Sequence, residues 1–199
     1  MGKKFNHVYQ FKVMLQGICP PIWRRIQVPD AYTFWDLHTA IQDSMGWFDC
    51  HLHEFRVISP QTGEEMRIGI PDDEFPDDVV AGWTQKIADY FTEVGKKIGY
   101  TYDFGDGWDH RVELEKILTP DEDVTYPRCI KGKRACPPED CGGVGGYYHM
   151  LEIIRDPHHN EYKDMMDWLG GEYDPEQFDS GVVEFDDPHE RLATMLSFR

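Results

Sequence analysis

Apolar and polar residues alternate along "HVYQFKVMLQG". His7, Tyr9, Phe11, Val13 and Leu15 share one side, and Val8, Gln10, Lys12, Met14 and Gln16 share the other. A period of two with aromatics predicts a strand. "CPP" breaks it, and "IWRRIQV" alternates again, so the two runs predict a hairpin. The period then changes. Phe34, Leu37, Ile41 and Met45 recur at helical spacing, Thr33 stands at the N-cap with Asp36 three residues on, and Gly46 ends the helix. "HLHEFRVIS" and "EEMRIGI" predict two more strands. The order β-β-α-β-β suggests a β-grasp-like start, which is an argument about fold only.

Beyond it, "PDDEFPDDVVAG" (71–82) reads as an acidic loop and "TQKIADYFTEVG" as a short helix. "KIGYTYDF" and "WDHRVELEKIL" form a long hairpin. Residues 119–141 read as a long loop, and "GGYYHMLEIIRDP" and "NEYKDMMDWLGG" as two helices. A final helix is expected at 188–198, within an acidic tail from about 171. The expected class is α+β with an antiparallel or mixed sheet and C-terminal helices, in a single domain over 1–199.

The tip of the long hairpin, "YTYDFGDGWDHRVELE", decides where its side chains face. A two-residue Asp106–Gly107 turn mixes aromatics and charges on both faces. A three-residue Gly105–Asp106–Gly107 loop pairs Tyr102 with His110 and separates them. Ile98, Tyr100, Tyr102, Phe104, Trp108, His110, Val112 and Leu114 then share one face. A sheet with one buried face selects that register. It makes His110 a core or semi-buried histidine beside Tyr102, sets Asp103 opposite Asp109 on the other face, and rules out a simple Asp103–His110 dyad.

Charge narrows the functions. The net charge is −17, carried by residues 61–199, which hold 14 Lys/Arg against 32 Asp/Glu. Such a surface repels phosphate backbones, so a protein or small-molecule partner is favoured over nucleic acid. "RCIKGKR" (128–134) is the local basic exception and reads as a solvated loop. No apolar run approaches the roughly 20 residues that span a bilayer, and the N-terminus has no apolar signal region, so the expected location is cytoplasmic. Five cysteines there read as reduced thiols.

Candidate chemistry is sparse. Cys129, Cys136 and Cys141 follow C-x6-C-x4-C, in which only the second gap fits a structural zinc pair; ordinary thiols and no cofactor are expected, with zinc on these three and His149 as the alternative. A thiol activated by Lys133 and Arg134 is an alternative use of the same loop. His51 and His53, at i and i+2, share one side of a predicted strand and can either ligate a metal or simply pack. "GGVGG" before a helix can offer N–H groups to an anion or ease a tight entry. "DFGDG" (103–107) and "PPEDCGG" (137–143) each join turn glycines to acids that packing does not need. Either each is an independent turn, or the two tips line one concave surface. That candidate surface comprises His51, His53, Asp103, Asp106, His110, Glu139 and Asp140.

Together, "PPIWRRIQVP", "GWFDCHLHEF", "YDFGDGWDH", "CPPEDCGGVGGY" and "YDPEQFD" resemble the plasmid pRiA4b ORF-3-like family, from about Tyr9 to Asp179. The hallmark strings fall at 102–110 and 136–143. The resemblance implies a compact α+β domain found on plasmids and chromosomes, sometimes carrying a resolvase-like label from mobile elements. It implies no activity, cofactor or catalytic residue. Recombinase chemistry needs a nucleophilic serine among arginines, and none of the four serines stands in such a setting. Two functions follow as expectations: a non-enzymatic binding or regulatory module, or a metal-dependent enzyme such as a hydrolase built on the histidine, hairpin and cysteine-loop segments.

Overall fold

The computed structural model describes residues 5–71 and 79–197. Its strands are β1 (Val8–Leu15), β2 (Trp23–Pro29), β3 (His53–Ile58), β4 (Glu65–Gly69), β5 (Val80–Ala81), β6 (Lys97–Tyr102), β7 (Trp108–Leu118) and β8 (Arg128–Lys133). Its helices are α1 (Phe34–Met45), α2 (Gly143–Arg155), α3 (Tyr162–Leu169) and α4 (Pro188–Ser197). The strands form one mixed sheet in the order β5-β4-β3-β6-β7-β1-β2-β8. The pairings are antiparallel except β4 with β5.

The predicted α1 forms with both its caps. Thr33 Oγ1 accepts from the Asp36 N–H at 3.2 Å, and the Asp36 carboxylate accepts from the Thr33 N–H at 2.8 Å. Gly46 ends the helix at φ 86°, a conformation that favours glycine. Its apolar stripe packs on the inward side chains of the sheet. Phe34 meets Phe55 and Tyr90 with ring centroids 4.9 and 5.2 Å apart, and Phe11 meets Phe91 at 4.6 Å. All five rings are buried, and each contributes on the order of 1.5–3 kcal/mol through burial. Polar residues on the rest of α1 are buried too, among them His38, Thr39, Gln42 and Ser44. Such positions need internal hydrogen bonds.

Several expectations change. The β-β-α-β-β order is present, but β6 and β7 stand between the first hairpin and the second, so the sheet does not confirm a β-grasp start. Ile87–Asp89 is a 3-10 turn where a short helix was expected. Residues 72–78 of the expected acidic loop lie outside the described residues, and Val80–Ala81 beyond them pairs with β4. The 119–141 segment is not all loop: β8 pairs antiparallel with β2 at the sheet edge. This strand was hidden because its fit depends on the tail. The Phe178 ring lies 2.3 Å from where a Cβ on Gly132 would stand, so the glycine makes room for it. The same ring covers the guanidinium of buried Arg24 at 3.7 Å.

The long hairpin is a further correction. Tyr102 pairs with Trp108, Tyr100 with His110 and Ile98 with Val112, leaving a five-residue loop, 103–107. A slip of two residues preserves which side chains share a face. Ile98, Tyr100, Tyr102, Trp108, His110, Val112 and Leu114 are all buried, as the apolar face required. Two positions depart from it. Phe104 is exposed, and Asp103 is buried rather than opposite Asp109. Asp109 instead lies opposite Thr101 and pairs with Arg56 at 2.9 Å.

His110 is in the core, with its ring 5.2 Å from Tyr100 and 5.4 Å from Trp47. Among the described residues neither ring nitrogen makes a well-formed hydrogen bond, and the Trp108 and Tyr100 backbone groups beside it offset its burial only in part. Burial pushes its pKa down to about 4, against about 6.5 in an unfolded chain. Between these values the unfolded chain holds a proton that the folded chain lacks. Stability is therefore full above pH 6.5 and falls by about 3 kcal/mol toward pH 4 from this residue. Urea unfolding across that range should show the loss, and His110→Phe should make the acid limb shallower. An unchanged limb would contradict this account.

Candidate functional site

Residues 46–52 join α1 to β3 and are held by other parts of the chain. Trp47 Nε1–H donates to the Pro137 carbonyl at 2.9 Å, and the Phe48 N–H to the Glu139 carboxylate at 3.0 Å. The Cys50 N–H donates to the Tyr102 hydroxyl at 3.0 Å. The Leu52 carbonyl accepts from the Asp103 N–H at 2.9 Å. Tyr102 in turn donates its O–H to Glu139. Burial raises the Tyr102 pKa, and Glu139 raises it further, so the phenol keeps its proton.

The two glycine tips are in contact. The Gly142 N–H donates to Asp106 Oδ2 at 3.1 Å. Gly143, at φ 66°, comes so close to the hairpin that a Cβ there would stand 2.3 Å from the Asp106 carbonyl oxygen. Asp106 thus supplies, from within the chain, a negative charge for the N–H groups that "GGVGG" offers at the start of α2.

Three candidate side chains converge beside this contact. His51 Nε2 is 3.0 Å from Asp140 Oδ1 and 3.7 Å from Asp103 Oδ2. Asp103 and Asp140 both have positive φ, 54° and 59°. Asp103 is buried, and its Oδ1 accepts from the N–H groups of Gly105 and Asp106 at 2.9 and 3.4 Å. Its Oδ2 is left facing His51.

The expected His51–His53 pair is divided. β3 starts only at His53, whose side chain turns into the core, while His51 stands before the strand and faces the tips. His53 stacks on His38 with centroids 3.4 Å apart and planes 9° from parallel. Its pKa is held well below the usual histidine value by burial and then by His38. His38 and its partners were not singled out in the sequence. A consistent set of donors runs from the Gln42 amide to the Tyr100 hydroxyl and on to His38 Nδ1, each at 2.9 Å. His38 Nε2–H then donates to Asp49 at 2.8 Å. The helical stripe of α1 explained its apolar face and gave no sign of a polar chain on the other. Among the described residues, His38, Asp49 and His53 also stand close enough to hold an ion. Face-to-face rings aim their in-plane lone pairs in parallel, however, so one ion cannot be chelated well by both.

The cysteine loop brings no metal set together. Among the described residues, no group of close ligand atoms includes Cys129, Cys136, Cys141 or His149. His149 instead lies 3.6 Å from Glu161. Burial pushes the Cys136 and Cys141 thiols up to about 12, which opposes an activated thiolate. Arg134 is neutralised by Glu176 at 2.8 Å, and Arg128 donates to the neutral Gln27 amide at 2.8 Å, so both arginines of the basic run are engaged within the fold.

A cleft of about 490 Å³ lies between the 46–52 segment and α4. Trp35, Phe48, Leu52, Ile70 and Met195 line it, with Asp49, His51, Asp186 and Arg191 among its polar groups. Arg191 fastens α4 there, with Nη2 2.7 Å from Asp43 and Nη1 3.7 Å from Asp49. Among the described residues, no helix is long and apolar enough to cross a membrane.

Fold and junction together define an α+β protein whose two glycine tips close on a cluster of histidine and carboxylates. The chain belongs to the plasmid pRiA4b ORF-3-like family, whose model matches residues 7–181. It is similar to the uncharacterized protein y4hQ of Sinorhizobium fredii, 32% identical over 179 residues, covering 89% of this chain and 87% of that protein. It is also similar to the crystal structure of a protein of unknown function, MM3350, from Methanosarcina mazei Go1. That match is 52% identical with a TM-score of 0.85, and covers 92% of this chain and 100% of the other.

The closure of the tips predicts opposite effects for two nearby glycines. Gly143→Ala meets the Asp106 carbonyl and a left-handed backbone, which alone costs about 1–2 kcal/mol. Gly145→Ala has open space and helix propensity in its favour, worth about 1 kcal/mol. Thermal melts should fall for the first and hold or rise for the second. Equal effects would show that the close approach does not matter.

Proposed function

We propose that this chain is a single-domain, non-enzymatic binding module whose partner is a peptide segment carrying an apolar side chain beside basic residues. The observation that carries this reading is the cleft beside α4, with apolar walls and acids at its base and rim. Large apolar residues that a monomer normally hides are exposed around it: Phe48 is 84% and Leu52 53% exposed. Asp49 and Asp186 line the same cleft with one arginine between them, so its local charge favours a cationic neighbour to the apolar anchor. The net charge of −17 supports the same choice of partner at long range. A metal-dependent enzyme, such as a hydrolase, is the second reading. It is favoured by the convergence of Asp103 and Asp140 on His51, which also lines this cleft.

Fluorescence anisotropy with labelled peptides tests the first reading. Leucine- or phenylalanine-containing peptides rich in lysine should bind, weaken as salt is raised, and lose binding to Leu52→Glu and Met195→Glu. Equal binding of glutamate-rich counterparts, or binding unaffected by both substitutions, would sink the proposal.

A further inference from the structure

The geometry points to a binding site for one first-row divalent ion, such as Zn²⁺ or Mn²⁺, formed by His51 Nε2, Asp103 Oδ2 and Asp140 Oδ1. The inference deepens the second reading above and needs no ligand in the cleft, so peptide binding and ion binding can fail separately. Three arguments support it.

The first is the spacing. Ligands about 2.0–2.2 Å from such an ion stand about 2.8–3.6 Å from one another at tetrahedral or octahedral angles, so a spacing of 3.7 Å closes with a shift of about 0.1 Å. His51 Nε2 lies 3.0 and 3.7 Å from the two carboxylate oxygens, and all three atoms lie within 4.8 Å of one another.

The second is orientation. A ring nitrogen 3.0 Å from a carboxylate oxygen would ordinarily hydrogen-bond to it. His51 Nε2 is buried and makes no hydrogen bond among the described residues, so the oxygen lies off the axis along which the ring would donate. A shared cation placed between the two resolves that mismatch. Asp103 presents a second sign of the same kind. Its side chain is 10% exposed. Its Oδ1 is taken by backbone donors, while its Oδ2 accepts no hydrogen bond among the described residues and lies 3.7 Å from His51 Nε2. A carboxylate nine-tenths out of water, with one oxygen left without a donor, is stabilised by a cation beside that oxygen.

The third is charge. Asp103 and Asp140 pair with His51 and with no lysine or arginine among the described residues. The neighbouring acids are already committed: Glu139 to Tyr102 and Phe48, and Asp106 to Gly142. Two carboxylates and a neutral imidazole carry the charge that a divalent ion balances. Mixed nitrogen and oxygen donors favour a first-row ion over Ca²⁺. Three protein ligands leave a position open to water or to a partner.

The test is isothermal titration of chelator-treated full-length protein with ZnCl₂ and, separately, MnCl₂, followed by elemental analysis after gel filtration. One ion per chain is expected for at least one of the two metals. His51→Gln and Asp140→Asn should each weaken binding by at least about tenfold. Both residues lie at the partly exposed side of the cluster, so the variants should fold. Asp103→Asn should do the same if its circular dichroism matches the parent. Cobalt(II) loading gives an independent reading. The spectrum should show ligand-field bands without thiolate charge transfer, because no cysteine belongs to the set. Absence of stoichiometric binding would overturn the proposal. So would undiminished binding in both His51→Gln and Asp140→Asn, or a thiolate band.

Discussion

The candidate site depends on a close approach of two backbones. Gly143 lies against the Asp106 carbonyl, and Gly142 donates to the Asp106 carboxylate. No side chain fits between them. The turn residues therefore do more than reverse the chain. They let the end of the long hairpin seat against the start of α2, where the negative charge of Asp106 is welcome. Moving the tips apart would release Asp140 from His51, and Glu139 from Tyr102 and Phe48.

The segment between α1 and β3 is fixed by this contact in turn. It has few internal hydrogen bonds, and its donors and acceptors go to Pro137, Glu139, Tyr102 and Asp103. These partners belong to the two hallmark strings. Fixing the segment sets three nearby side chains on different tasks. Asp49 accepts from His38 at the floor of the cleft. His51 faces the tips, and His53 enters the core. The acids around the junction divide in the same way. Asp106 and Glu139 hold the structure together, and Asp103 and Asp140 face His51.

Much of the architecture follows from local pattern. Thr33, Asp36 and Gly46 mark the ends of α1 because capping is decided within a few residues. The inward face of the long hairpin was legible from alternation, since a slip of two residues leaves faces unchanged. Its register was not legible. It depends on Asp103 adopting a left-handed backbone and gathering the Gly105 and Asp106 N–H groups, and alternation carries no such information. β8 is not legible in the sequence for a related reason: Gly132 belongs in a strand because Phe178, far along the chain, packs over it.

For the site, the sequence by itself determined which strings combine turn glycines with acids that packing does not require, and that His51 and His53 deserved notice. Whether those strings meet was decided only by the tertiary structure. Sheet order places β6 between β3 and β7 and so carries the hairpin tip to the α1–β3 segment. The same structure set His51 beside Asp103 and Asp140 while burying His53 against His38, though the two histidines are only two residues apart. It also recruited His38, Tyr100 and Gln42, whose spacing in the chain carries no sign of a hydrogen-bonded series. The physical reason is the same in each case: local pattern fixes which way a side chain faces, and what it then meets is set by segments distant in sequence.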